Sequence, residues 1–420
     1  MAAQDDPLTQ TPFSEPAWLA GFPSPLYRDT HKRFQISCRA WFEKHFLPYC
    51  MDWENEGDLP SDLFAKFNQV NMLLPNLCPP LPVDWLHKSG IKDILGTPVE
   101  EWDYVHTAIW ADEIHRSGLA GPSSGLTAGF AYGIPPIIKY GSRELQERFL
   151  PDLLTGRKRT CIAITEPTGG SDVANVETSA VKSKDGKHYV VNGQKKWITN
   201  AIWADYTTMT VRTGGKGPGG LSLLVVPLKV EGVEMRRLKC TGSKTGGTTF
   251  IELEDVKVPV ENLIERLMIA LGATRQSRVA LSTAMGYVMK REAFGKPLAE
   301  QPVVRHRLAK AGAQLEMLQA WLDQFLWQML HLPKSQADKR LGGLTALVKA
   351  TAGMVLNEGN GFTQTGQGEL VEKIYRDVFG SRIPGGSEDV MLDLAVRQLI
   401  KNYQRATKEL EKSGGNKSKL

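Results

Sequence analysis

The chain has 420 residues, 51 Lys and Arg against 46 Asp and Glu, and 41% hydrophobic residues, which predicts a soluble globular protein of two or three subdomains. The net charge of +5 is not gathered into a basic run with interleaved aromatics; that argues against a nucleic-acid partner and suits an anionic substrate. Cys38, Cys50, Cys78, Cys161 and Cys240 are odd in number and scattered without a C-x-x-C, so a disulfide framework or zinc site is not expected and a reducing compartment is, and no apolar run spans a membrane.

Residues 1–24 are Pro-rich and polar and are expected as a disordered N-terminal arm. From Asp29 to Tyr49 the residues Phe34, Cys38, Trp41, Phe42 and Phe46 fall at helical spacing. Pro98 to Arg116 puts Trp102, Val105, Ile109 and Ile114 on one helical face. The small-residue run Gly118 to Gly133 permits close packing, and Ser142 caps a helix running to Pro151. Residues 25–160 therefore read as a helical domain.

From Cys161 the period changes to two. Val181 to Val191 is a hairpin around Asp185-Gly186. Tyr206–Val211 and Leu221–Pro227 are strands joined by a flexible turn at Gly214–Gly220, and Phe250–Pro259 is another strand. Residues 161–264 read as a small β domain. Helices are expected at Glu265–Arg291, Val303–Leu330, Gly342–Val355 and Val390–Leu410, a four-helix bundle over 265–412, followed by a tail at 413–420.

Two stretches carry chemistry. Cys161-Ile-Ala-Ile-Thr165-Glu-Pro-Thr-Gly-Gly170-Ser171-Asp172 is an apolar strand running into a turn broken by Pro167, Gly169 and Gly170. Such a turn presents backbone N–H groups and a hydroxyl in one concavity, which suits a phosphate. Gly193-Gln-Lys-Lys-Trp197-Ile-Thr199-Asn200 brings an indole face and a hydroxyl. Either half alone reads better as a surface turn or a core tryptophan. In this order, separated by a hairpin, they suit a flat phosphorylated cofactor such as a flavin.

T-E-P-x-x-G-S-D followed by W-I-T-N resembles the flavin-binding core of the acyl-CoA dehydrogenases, and the likeness runs from about Tyr27 to the C-terminal region. The resemblance implies an α+β multidomain fold: an N-terminal helical domain, a middle small β-barrel and a C-terminal four-helix bundle. It implies FAD, an acyl-CoA substrate dehydrogenated to the 2-enoyl-CoA, and oxygen or an electron-transfer flavoprotein as electron acceptor. It also implies that Thr165, Ser171, Trp197 and Thr199 contact the flavin and its diphosphate. Arg291 and Phe294 match positions that reach the FAD of a neighbouring subunit, with Gln301 near another, which implies a homodimer or homotetramer.

In many family members the catalytic base lies in a Y-E-G-T-S motif, but glycine, Gly385, stands at that position here. The isovaleryl- and long-chain-acyl-CoA branch carries the same glycine and takes its base from a helix that begins E-R-L and runs to R-x-x-F-G-K. Here that helix is Glu265-Arg266-Leu267 through Arg291-Glu-Ala-Phe294-Gly295-Lys296 at the same spacing. By this resemblance Glu265 is the base, Arg266 lies at the substrate, and the Gly385 N–H polarises the thioester carbonyl. A first-turn glutamate also suits the helix dipole with no catalytic part. The chain departs from the family at two places. The G-E-x-x-x-G-F segment before Glu265 is absent, and the G-G motif near Gly359 is shortened. Two other readings stay open: a flavin oxidase acting on another carbon acid such as a nitroalkane, and a flavin-binding paralogue without turnover.

The N-terminus Met1-Ala-Ala-Gln-Asp-Asp-Pro has no apolar core or presequence character. Ser418-Lys419-Leu420 matches the peroxisomal address, so the expected location is the peroxisome, through its import receptor, and otherwise the cytoplasm.

Overall fold

The computed structural model describes residues 13–264, 287–293, 296–333, 336, 341–357, 369–383 and 387–412. They fall into two compact units, one of Tyr27–Ile269 and one of Ala270–Leu420 with Met1–Leu26.

The first unit begins with eight helices: α1 (Asp29–His45), α2 (Cys50–Glu56), α3 (Leu63–Gln69), α4 (Val83–Lys88), α5 (Tyr104–Ile114), α6 (Ala120–Ala128), α7 (Ile134–Tyr140) and α8 (Arg143–Leu154). The apolar face of α1 buries Phe34, Cys38 and Phe42, with Phe46 just beyond its end and Phe67 of α3 beside them. Its other buried residues meet α5. Arg39 donates from Nε and Nη2 to Glu113 at 3.0 and 2.8 Å, and Gln35 Nε2 donates to the same carboxylate at 2.8 Å.

Helix α5 begins later than the apolar spacing from Pro98 predicts. Asp103 is its cap, accepting from the amides of Val105 at 3.0 Å and His106 at 3.1 Å, so the residues before it form a separate 3-10 turn at Val99–Glu101. At the other end of the domain Ser142 caps α8 as expected, accepting from Leu145 N at 3.2 Å. That helix continues through Pro151 to Leu154.

Asp103 also lies against two buried histidines, and these three groups bring ligand-type atoms within 4.8 Å of one another. Hydrogen bonding explains the cluster without a cation. The Arg28 amide donates to His31 Nδ1 at 3.0 Å, so the His31 proton sits on Nε2, which donates to both Asp103 oxygens at 3.1 Å. No lone pair is left at Nε2 for a metal. Burial alone raises the Asp103 carboxyl, but the hydrogen bonds from His106 and His31 overcome it and hold it well below the usual carboxylate range.

Helices α6 and α7, linked by one π turn at Gly129–Gly133, place a glycine every fourth residue against the β domain. A Cβ on Gly133 would come within 2.8 Å of the Cys161 carbonyl, and one on Gly125 or Gly129 would strike the Thr245 or Thr160 carbonyl. The small-residue run thus lets helix backbone lie directly on strand backbone.

The β domain has strands β1 (Thr160–Ala163), β2 (Ser179–Lys182), β3 (His188–Ile198), β4 (Tyr206–Arg212), β5 (Leu221–Pro227), β6 (Val233–Arg237), β7 (Thr249–Pro259) and β8 (Leu263–Ile264). The ladders form one eight-stranded sheet in the order β8–β5–β4–β2–β3–β7–β6, with β1 parallel to β4. Its core includes Cys161, Ala180, Val191, Met209, Val226 and Ile251. The Asp185-Gly186 hairpin joins β2 and β3 in antiparallel register. The glycine run 214–220, expected to be flexible, is tied down by Arg212, whose guanidinium donates to the Gly217 and Ala174 carbonyls at 3.1 and 2.8 Å.

The second unit contains α9 (Pro302–His331), α10 (Gly342–Asn357), α11 (Glu369–Arg382) and α12 (Glu388–Lys412). Leu318 and Phe325 of α9 pack with Leu341, Val348 and Ala352. Helix α11 was not anticipated. Its apolar stripe of Leu370, Val371, Ile374 and Val378 is short and interleaved with Glu372, Lys373 and Arg376. The expected helix at Glu265–Arg291 lies outside the described residues apart from 287–291, of which 287–290 are helical. Residues 13–24, expected as part of a disordered arm, include turns such as Leu19 N to Pro16 O at 3.0 Å, and the Phe13 ring lies against Gly312 of α9.

Candidate active site

The turn after β1 and the end of β3 come together as the sequence order implied. The Lys196 amide donates to the Thr165 carbonyl at 2.9 Å, and Glu166 and Gly169 exchange backbone hydrogen bonds that close the turn. Gly170 folds back to 3.9 Å from the Thr165 methyl, measured to where its Cβ would stand. Among the described residues the amides of Gly170 and Ser171 and the Ser171 hydroxyl have no hydrogen-bond partner, and both residues are exposed. An anion can take these donors without displacing an internal bond.

Trp197 is 54% exposed, although strict alternation from Val191 through Gly193 and Lys195 would turn it into the core. A β-bulge reverses the parity. Lys195 faces Ile251 and Ile198 faces Thr249 across the ladder, three residues against two, so Ile198 goes inward and Trp197 outward. Trp197 has φ +65° and Asn200 φ +56°, a left-handed backbone that a bulky residue keeps only where its surroundings demand it. The Lys196 ammonium sits 5.1 Å from the indole centroid. Asn200 then anchors the corner, its amide donating to the Gly246 carbonyl at 2.8 Å and its Nδ2 to the Thr160 carbonyl at 3.3 Å. Thr199 lies half-buried between these two.

The residues that hold this arrangement were not anticipated as site residues. Lys195 is fully buried and its Nζ lies 2.7 Å from Glu166 Oε1 and 3.1 Å from the Ile164 carbonyl. Glu166 also accepts from the amides of Glu177 at 2.6 Å and Thr178 at 2.9 Å, and from the Thr178 hydroxyl. Gly193, φ +146°, makes room for this, since a Cβ there would stand 2.7 Å from Thr178 Cα. Burial pushes the Lys195 ammonium down to about 8. For Glu166 burial acts upward, and the hydrogen bonds from Lys195, Thr178 and the Glu177 amide outweigh it and lower the carboxyl. The signal was available: counting by two from Val191 points Lys195 at the core, where a lysine needs a carboxylate.

Of the other expected residues, Arg291 and Gln301 belong to the second unit. Arg291 is exposed before the short strand Glu292–Ala293, and Gln301 is half-buried at the cap of α9. Glu265, Arg266, Phe294 and Gly385 lie outside the described residues. Glu388, the next carboxylate after Gly385, opens α12 and is paired with Arg382, whose Nε donates at 3.0 Å.

A helical domain, a middle β domain with an open turn beside an exposed indole, and a C-terminal helical unit define the class as the acyl-CoA dehydrogenase fold. Family models agree along the chain: the acyl-CoA dehydrogenase N-terminal domain matches residues 81–157, the middle domain 161–256 and the C-terminal domain 262–400. The acyl-CoA dehydrogenase apdG of Emericella nidulans is 60% identical over 433 residues, covering 97% of this chain and 99% of that one. The acyl-CoA dehydrogenase AFT10-1 of Alternaria alternata is 34% identical, covering 94% and 97%. The solved acyl-CoA dehydrogenase of Geobacillus kaustophilus has a TM-score of 0.75 at 28% identity over 90% of this chain and 100% of that one. The chain belongs to the acyl-CoA dehydrogenase family, FAD-dependent enzymes acting on CH–CH donors.

Proposed function

We propose that the protein dehydrogenates an acyl-CoA thioester between its α and β carbons to give the 2-enoyl-CoA. The observation that carries this reading is the strained, outward-facing Trp197 beside a turn whose Gly170 and Ser171 amides have no partner among the described residues. That donor set fits FAD: Ser171 and the Gly170 amide suit the diphosphate, and Trp197, Thr165 and Thr199 suit the isoalloxazine. When bound, FAD supplies the acceptor for the β-hydride.

The chain's own residues do the rest. Glu265 takes the α-proton, and the Gly385 N–H donates to the thioester carbonyl so that negative charge developing on its oxygen is stabilised. Arg266 lies at the substrate and Arg291, Phe294 and Gln301 serve the FAD of a neighbouring subunit in a homo-oligomer. The apolar residues Val396, Leu399, Ile400 and Tyr403 exposed on α12 support such an assembly. The spacing of Glu265 to Phe294 and the glycine at 385 favour the isovaleryl- and long-chain branch. Either oxygen or an electron-transfer flavoprotein takes the electrons.

The deciding experiment is anaerobic addition of acyl-CoA thioesters to the FAD-loaded protein. Bleaching of the flavin absorbance is expected. Full retention of colour with short, long and branched thioesters alike would refute the activity, and bleaching by a nitroalkane alone would move the protein to another oxidase class. Ser418-Lys419-Leu420 further supports import into peroxisomes. A tagged protein that stays punctate after deletion of these three residues would refute that address.

A further inference from the structure

We propose that the buried Glu166–Lys195 pair is a positioning device for the flavin, setting the anion-accepting turn and the indole of Trp197 in one register. The proposal rests on the flavin reading above.

Three segments distant in sequence meet at the Glu166 carboxylate: its own turn, the Glu177–Thr178 segment leading into β2, and Lys195 of β3. The carboxylate and ammonium are 5% and 0% exposed as residues, so their geometry is set by one another and not by solvent. Lys195 immediately precedes the bulge that turns Trp197 outward, and Lys196 is tied to Thr165 across the same gap. Moving Lys195 therefore moves both halves of the site.

Net stability does not account for the pair, since buried ion pairs can commonly be replaced by apolar residues of similar volume without loss. What apolar packing cannot supply is a set of directed bonds that select one register. A second consequence is electrostatic. A carboxylate in the turn would repel a diphosphate, and the ammonium beneath it cancels that charge. Of the surface carboxylates nearby, Glu177 accepts from the Thr168 hydroxyl at 3.2 Å and Asp172 from Asn175 Nδ2 at 2.7 Å; these neutral donors leave their charge in place, which makes cancelling the Glu166 charge the more necessary.

The test uses the full chain as Glu166→Gln, Lys195→Met, the double variant Glu166→Gln/Lys195→Met, and Thr178→Val. FAD affinity is measured by flavin fluorescence, thermal midpoint on the apoprotein, and environment by the flavin visible spectrum. Each single charge variant is expected to weaken FAD binding by about tenfold to a hundredfold. The double variant, neutral again but without the Lys195 bonds to residue 166 and the Ile164 carbonyl, is expected to regain the midpoint without regaining affinity or the wild-type spectrum. Midpoint and affinity returning together in the double variant would show a merely structural pair and overturn the proposal. If the single charge variants do not fold, Thr178→Val decides, because it removes one bond to Glu166 and leaves no charge unpaired. A wild-type spectrum and affinity in that variant overturns the proposal too. A wild-type chain that takes up no FAD overturns the flavin reading and this inference with it; wild-type uptake matched by every variant overturns only the inference.

Discussion

Glu265→Gln is expected to slow reduction of the flavin by acyl-CoA by about 10²–10⁴-fold, the usual effect of removing a general base. Glutamine keeps the size and hydrogen bonding of the side chain and cannot take a proton at neutral pH, so FAD content should not change. Three features of the chain motivate the choice. Gly385 leaves the common base position without a carboxylate, the spacing from Glu265 to Phe294 is that of the branch that places its base on this helix, and Arg266 follows as it does there. The structure weakens the nearest competitor. The Glu388 carboxylate is occupied by Arg382, whose Nε donates to it at 3.0 Å, so one of its oxygens is already engaged. Rapid-mixing kinetics settle the matter: flavin reduction at the wild-type rate in the glutamine variant removes Glu265 from the mechanism, and Glu388→Gln becomes the variant to measure.

The second large effect is on stability. Glu113→Ala is expected to destabilise the helical domain by about 3–5 kcal/mol, because it leaves the Arg39 guanidinium buried without its carboxylate. The Glu113 side chain is 1% exposed and that of Arg39 10%, so solvent does little to screen the loss. Gln35 loses its acceptor in the same step. The double variant Glu113→Leu/Arg39→Met, which removes both charges and keeps apolar volume, should recover most of the difference. Denaturation followed by tryptophan fluorescence reads this out, since Trp41 and Trp110 lie in the aromatic cluster around α1. A loss below about 1 kcal/mol in Glu113→Ala, the range of an exposed pair, would show that water enters the site.

The order of domains, most helices and strands, and the two halves of the candidate site were legible in the sequence because each rests on short-range rules. Helical spacing marked α1, α9, α10 and α12, the Asp185-Gly186 turn marked the hairpin, and Ser142 marked a cap. Thr165, Ser171, Trp197 and Thr199 were singled out from two motifs, and the fold places all four at one turn and one strand end. Helix α11 escaped notice since its charged residues dilute a short apolar stripe.

Tertiary structure decided the rest. The start of α5 depends on Asp103 choosing the amides of Val105 and His106 and on two histidines that hold its carboxylate from either side. Which way Trp197 points depends on one extra residue in β3, and that residue exists only relative to the register of β7 across the ladder. The burial of Lys195, and with it the part played by Glu166 and Thr178, follows from that same register. The sequence by itself determined which residues make up the candidate flavin site. The pairing of distant strands determined which of them face outward and which turn inward, because side-chain parity in a sheet is a property of the pair of strands and not of either one.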